Sequence, residues 1–370
     1  MKTMKRKHLS TKRAVRSSGS STRSASTRLN RPRVRAAAVG KKRMVSTIAQ
    51  GPDYLAGAAD GKAWRSDPAF QPGPEAVRIA IRERWSLRFR ETKRNNETNW
   101  ALVRRRGLNY AAGFMQGSGA RAAVTPVPLN GKAAAIVFAG MKEEPLRQVL
   151  DQLQALPLDD VVIVASNPAE RLFALARGFG NVTLVSVPEP LDADVGRALG
   201  AKLTGADTIL FLDGEQAVSA DQLAGFIWAC QWEMDIALND ISAQMGLFRK
   251  RGGNERLFEF LNVSLQRGDL KINTLSALPY AVSRRAIESL GIGALAVPIK
   301  AHAQAILNGL RIGIGGAVGG HRQRRGTRSD WRRAAGDHAE AWREAFDVRG
   351  NRLDFADWTR NRSLLGDWEP

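Results

Sequence analysis

Ala206-Asp207-Thr208-Ile209-Leu210-Phe211-Leu212-Asp213-Gly214-Glu215 decides how the chain folds. Thr208 to Leu212 is a short, apolar run between polar residues, suited to a strand buried on both faces of a sheet. Asp213 and Glu215 follow at its carboxyl end with a single glycine between them. At that spacing two side chains reach one side of an extended turn, where they can hold a hard divalent cation together with a diphosphate. The same pair also suits an ordinary acidic turn ahead of a helix, because carboxylates favour helix N-termini. What surrounds the run separates the two.

Upstream, strand-like and helix-like segments alternate. Ala133 to Phe138 reads as a first strand, and Pro145 stands in the first turn of a helix whose face is Leu146, Val149, Leu150 and Leu153. Val161–Ala165 and Val182–Val187 are two further strands, with helices predicted over Ala169–Phe179 and Asp194–Leu203. Downstream, Ser219 and Gln222 form a capping box for a helix through Trp232. This alternation implies an α/β fold, a mainly parallel sheet with right-handed crossovers and helices on both faces. Ligands bind such sheets beyond the carboxyl ends of the strands. Those ends are Ala139–Glu144, Ser166–Pro168, Pro188–Arg197 and Asp213–Glu215.

The composition, 44% hydrophobic and 25% charged over 370 residues, supports a sizeable core. No apolar run reaches the ~18–20 residues of a transmembrane span. The basic N-terminus lacks the apolar core of a secretory signal. The single cysteine, Cys230, excludes an intrachain disulfide and a cysteine-built zinc cage. A cytoplasmic location is expected, peripheral to a membrane or another anionic surface if the basic tail binds one.

The net charge of +20 is unevenly placed. Residues 1–50 hold 15 Lys/Arg and no acid, 51–131 carry a balance of +6, and 132–370 a balance of −1. Residues 1–45 are Lys/Arg/Ser/Thr/Ala-rich without an aromatic residue, a composition that does not bury enough surface to order itself. Such a tail suits a polyanion, whether nucleic acid, anionic lipid or cell-wall polymer; it is equally a solvated tail without a partner. Four segments are expected: a disordered basic tail and linker over 1–72, a helical basic segment and linker over 73–131, the α/β domain over 132–325, and a helical extension over 326–370. In the second, Val77, Ile81, Trp85 and Leu87 form an apolar stripe among arginines, and Gly113 and Gly117 permit close helix packing.

The order of elements from Ala133 resembles glycosyltransferase family 2, the nucleotide-sugar transferases of GT-A (Rossmann-like) fold. Phe138-Ala139-Gly140-Met141-Lys142-Glu143-Glu144 stands where the family has its first-strand motif. Val195-Gly196-Arg197-Ala198 is similar to the Gly/Ala-Arg segment ahead of the Asp-x-Asp strand, here Asp213-Gly214-Glu215. Ala277–Gly291 is similar to the acceptor-side strand and helix, and Asn308–Ile312 to the closing Gly-x-x-Ile strand. The resemblance covers about half the chain and implies a nucleoside-diphosphate sugar as donor, an acceptor it does not name, and Mg²⁺ or Mn²⁺. It implies that Asp213, Glu215 and the late histidine His321 hold the metal. It implies further that Ala139, Gly140, Glu143, Ser166, Asn167 and Arg197 line the nucleotide-sugar site.

Three places depart from the family pattern, beginning with the first strand, which lacks the usual Pro and Asn. Ser166 and Asn167 replace the charged base-binding residues. Val297-Pro298-Ile299-Lys300 has no carboxylate where inverting members carry the Glu-Asp pair whose Asp is the general base. Asp240 or another carboxylate then substitutes as the base. The alternative is a transferase-like domain without turnover, a scaffold held to a polyanionic surface by the tail. Gly313 to Gly320 is expected to be a flexible turn beside the site, and His338 a surface histidine.

Overall fold

The computed structural model describes residues 51–68, 70, 72–92, 99–244, 246, 248–319, 328–355 and 357. The basic stretch 1–45 and His321 lie outside the described residues.

The expected α/β sheet is present. Its strands are β1 (Ala133–Ala139), β2 (Asp160–Ser166), β3 (Val182–Val187), β4 (Thr208–Asp213), β5 (Ile236–Asn239), β6 (Tyr280–Ser283) and β7 (Ile312–Gly316), in the order β3-β2-β1-β4-β6-β5-β7. β6 pairs antiparallel with β4 and with β5, and the remaining pairs are parallel. β5, four residues long, is too short to announce itself by periodicity.

Alternation along the strands builds two cores. Ala133, Ala135, Val137, Ile163, Leu210 and Leu212 face one side, packed under α4 (Glu143–Leu153), α5 (Glu170–Arg177) and α7 (Ala220–Trp232). Ile136, Val162, Val164, Ile209 and Phe211 face the other side. There they meet α6 (Ala193–Lys202), α8 (Gly253–Ser264), α9 (Arg284–Leu290), α10 (Pro298–Leu307) and α11 (Arg328–Arg349). Ser219 caps α7 as expected, its hydroxyl 2.9 Å from Gln222 Oε1. Gly196 and Gly200 let α6 lie close on the sheet, since a Cβ at either would strike Phe138 or Ile136.

Three expectations need correction. The linker over 46–72 contains α1 (Pro52–Arg65), which lies against α3 (Trp100–Ser118) with backbone in contact at Gly57, Gly61, Gly113 and Gly117. The linker near residue 130 does not separate two cores. Val77, Ile81 and Trp85 of α2 (Pro74–Thr92), Val127 and Leu129 of the linker, and the sheet residues share one cluster. The linker is tied down by Leu129 N–H donating to Ser86 Oγ (2.9 Å) and Trp232 Nε1 to Pro128 O (2.9 Å). Part of the expected flexible turn is strand, because Gly313, Gly315 and Gly316 belong to β7 and the last two lie on the Phe226 ring.

His338 is also not at the surface: it is buried, stacked on Phe258 at 5.3 Å. Among the described residues no helix is long and apolar enough to cross a membrane.

Candidate functional site

Parallel pairing brings the ends of four strands together. Phe138 is level with Asp213, Ala139 with Ala165, and Ser166 with Val187. Because β4 and β5 are both antiparallel to β6, β5 runs parallel to β4 and Asp240 emerges at the same edge. Two strand spacings separate β4 from β5, about 10 Å.

The Asp213-Gly214-Glu215 turn folds back over the end of β1. Gly214 N–H donates to Phe138 O (2.9 Å), and a Cβ on Gly214 would lie 2.8 Å from that oxygen. Glu215 Oε1 occupies the space a Cβ on Gly140 would take. Glycine at 214 is therefore a requirement of close approach to the β1 backbone, and the Glu215 side chain lies over Gly140 at the end of that strand. Asp213 is half-buried, and its Oδ1 accepts Glu215 N–H at 2.9 Å.

The remaining expected nucleotide-site residues lie along the same edge. Glu143 begins α4 and pairs with Arg147 one turn on (2.6 Å). Ser166 Oγ donates to Glu189 O (2.8 Å), which leaves the hydroxyl lone pairs as acceptors. Asn167 is exposed at φ 44°, the left-handed region that asparagine tolerates, and its N–H donates to Val187 O (2.7 Å).

Arg197 is the buried member, 8% exposed. It pairs with Asp194 three residues back on α6, and its charge acts on Tyr280 at the start of β6. Its Nε is buried without a partner. Burial raises the Asp194 carboxyl above the usual carboxylate range, against the opposing Arg197 charge, and neighbouring Asp192 adds to the rise. Asp192 is held in turn by Arg333 of α11. Burial pushes the Tyr280 hydroxyl up to about 12. Sequence reasoning missed Asp194 and Tyr280; the i,i+3 spacing of Asp194 to Arg197 was a visible signal for the first only.

Asp240 is braced. Its Oδ1 accepts Ser242 N–H (2.9 Å) and Asn273 Nδ2 (3.1 Å). Burial would raise its carboxyl, but these bonds, the Ser242 hydroxyl and the Lys271 charge outweigh that and hold it below the usual range. At the position of the absent Glu-Asp pair, Lys300 of α10 pairs with Glu344 (2.9 Å) and Glu340 (3.5 Å) of α11.

Asp213 and Glu215 supply hard oxygen donors. Among the described residues no three His, Cys, Asp or Glu side chains gather as a complete cage. That donor set fits Mg²⁺ or Mn²⁺ shared with substrate phosphates, a mode that needs only one or two protein carboxylates.

No family model matches the sequence, and no curated protein does. Among solved structures the chain is similar to glucosyl-3-phosphoglycerate synthase from Mycobacterium tuberculosis, at 16% identity and a TM-score of 0.42, covering 62% of this chain and 83% of that one. Structures of that synthase include a complex with Mn²⁺, uridine diphosphate and phosphoglyceric acid. It is also similar to S. aureus TarS 1–349, at 16% identity and a TM-score of 0.34, covering 50% of this chain and 58% of that one. Neither likeness bears on the role of any site residue.

Proposed function

We propose that the protein transfers a sugar from a nucleoside-diphosphate donor to an acceptor hydroxyl. The observation that carries this is the Asp213–Glu215 turn, folded back over the end of β1 with Glu215 over Gly140, at the edge that also presents Ser166 and Asn167. Asp213 and Glu215 would hold Mg²⁺ or Mn²⁺, which supplies neutralisation of charge on the departing diphosphate. His321 is assigned to the same metal from its place in the chain alone.

Ala139, Gly140, Glu143, Ser166 and Asn167 line the nucleotide side, Ser166 and Asn167 by hydrogen bonds without charge. Arg197 reaches the donor through its unpartnered Nε while Asp194 holds its guanidinium in place. Asp240 faces the acceptor side and takes the hydroxyl proton. With its carboxyl held low it is a weak base, and general-base efficiency falls as pKa falls below the working pH. Slow turnover follows.

That same brace on Asp240, with Lys300 in place of a carboxylate, favours a second reading: donor binding without transfer, with the basic tail as an anchor. Release of nucleoside diphosphate from UDP-, GDP- and TDP-sugars separates the two. The transferase reading expects release by the wild type and its loss in Glu215→Ala. Donor binding with no release from any of them leaves the anchored, non-catalytic reading.

A further inference from the structure

The connection from β5 to α8 leaves the sheet immediately after Asp240, on the acceptor side of the edge. It carries Phe248, 59% exposed, an aromatic ring set in water. Two guanidinium groups lie over that ring, Arg256 at 5.1 Å and Arg251 at 5.7 Å from its centroid. Arg251 is neutralised by Glu259. Arg256 is exposed, its Nη2 donates to Arg249 O (3.3 Å), and neither it nor exposed Arg249 has an ion pair among the described residues. Glu255, the carboxylate nearest in sequence, is turned away to cap Gly252 N–H. Two cations are thus left uncompensated, and one of them is held in place by a ring and a carbonyl.

The place of this platform matters as much as its charge. Gly253 abuts α11, where a Cβ would lie 3.0 Å from Trp331 Nε1. Two residues on, Arg333 pairs with Asp192, the N-cap of the helix that carries Arg197. Through Trp331 the platform borders the donor edge, and through Ser242 it continues from Asp240.

We propose that this platform binds a phosphate ester through Arg249 and Arg256, and that the acceptor of the transfer is phosphorylated. The second clause rests on the transferase reading; the first does not. Guanidinium forks match phosphate oxygens bidentately, and a dianionic ester uses two cations where a neutral hydroxyl compound uses none. The Arg256 guanidinium, set on the Phe248 ring with Arg249 exposed close by in the chain, suits a small phosphoryl group.

The test titrates the full chain calorimetrically with sn-glycerol 3-phosphate and with glycerol, using wild type and Arg249→Gln/Arg256→Gln. Donor binding by the wild type is titrated separately with Mn²⁺ and UDP-, GDP- and TDP-sugars. The wild type should bind the phosphate ester and not glycerol, and the double variant should bind it at least about tenfold more weakly. Both side chains are exposed, so an unchanged melting temperature verifies that the variant is folded. Equal affinity in wild type and variant, or no binding of the ester, overturns the phosphate site. Arginine-dependent ester binding together with no donor binding upholds the site and removes the transferase reading, so the two failures are distinct.

Discussion

His302 of α10 is fully buried, with Nε2 2.8 Å from Asn262 Oδ1. Asn262 spends its Nδ2 on the carbonyls of Lys271 (2.9 Å) and Asn273 (3.2 Å), so its oxygen faces the histidine and the imidazole proton sits on Nε2. Nδ1 is buried without a partner. A second proton there would be an unpaired buried charge, and burial, with the Arg267 charge adding to it, lowers the pKa to about 3. An unfolded histidine titrates near ~6.5. Below that pH the unfolded chain takes a proton that the folded chain refuses. The stability His302 contributes is therefore whole above pH ~6.5 and is lost as pH falls towards 3, by up to about 1.4 kcal/mol per unit. Urea unfolding at pH 7.5 and 5 should show this decline, and His302→Gln, which keeps a donor for Asn262, should flatten it. An unchanged slope in the variant would contradict the assignment. The same network runs on through Asn273 to Asp240, so His302 is linked to that carboxylate by hydrogen bonds.

At the scale of elements, α1 and α3 lie backbone against backbone. A Cβ on Gly113 would strike Tyr54 O, one on Gly117 Ala58 O, one on Gly57 Tyr110 O and one on Gly61 Phe114 O. Gly113→Ala should lower stability by about 1–3 kcal/mol, as overpacking does. Gly205→Ala, which meets nothing within 4 Å, should stay within about 0.5 kcal/mol and serves as the control. Equal denaturation midpoints for the two variants would refute the close packing.

This pair also marks how far the sequence could be read. Gly113 and Gly117 stood out as small residues on one helix, but their partner was concealed. Gly57 and Gly61 weaken helix propensity by roughly 1 kcal/mol each, so α1 has the composition of a linker and becomes a helix through its packing on α3. β1 to β4 were legible because their apolar runs are bounded by turn residues. The glycines of β7 misled for the opposite reason, since they fit under Phe226 and are not there to bend. That Asp213, Glu215, Gly140, Ser166 and Asn167 lie at strand ends was readable from the apolar runs before them. The places of Tyr280 and Asn273 were not, because long-range pairing alone brings these residues to Arg197 and Asp240.

Over the whole molecule, the uneven charge set the front of the chain apart from the α/β domain, yet α2, the 121–131 linker and the sheet bury their apolar residues in one cluster. The edge of the sheet is thereby held from both sides, by α1–α5 and α7 on one face and by α6 with α8–α11 on the other. On the proposed reading, a carboxyl edge packed from both sides is what a cation shared with a diphosphate would need, because only two protein carboxylates would hold it. The most direct measurement is calorimetric titration of UDP-, GDP- and TDP-sugars into wild type and Asp213→Ala, each with and without Mn²⁺. The account predicts binding of at least one donor by the wild type that depends on Mn²⁺ and disappears in Asp213→Ala. Equal binding by both proteins, binding indifferent to Mn²⁺, or no binding of any donor would contradict it.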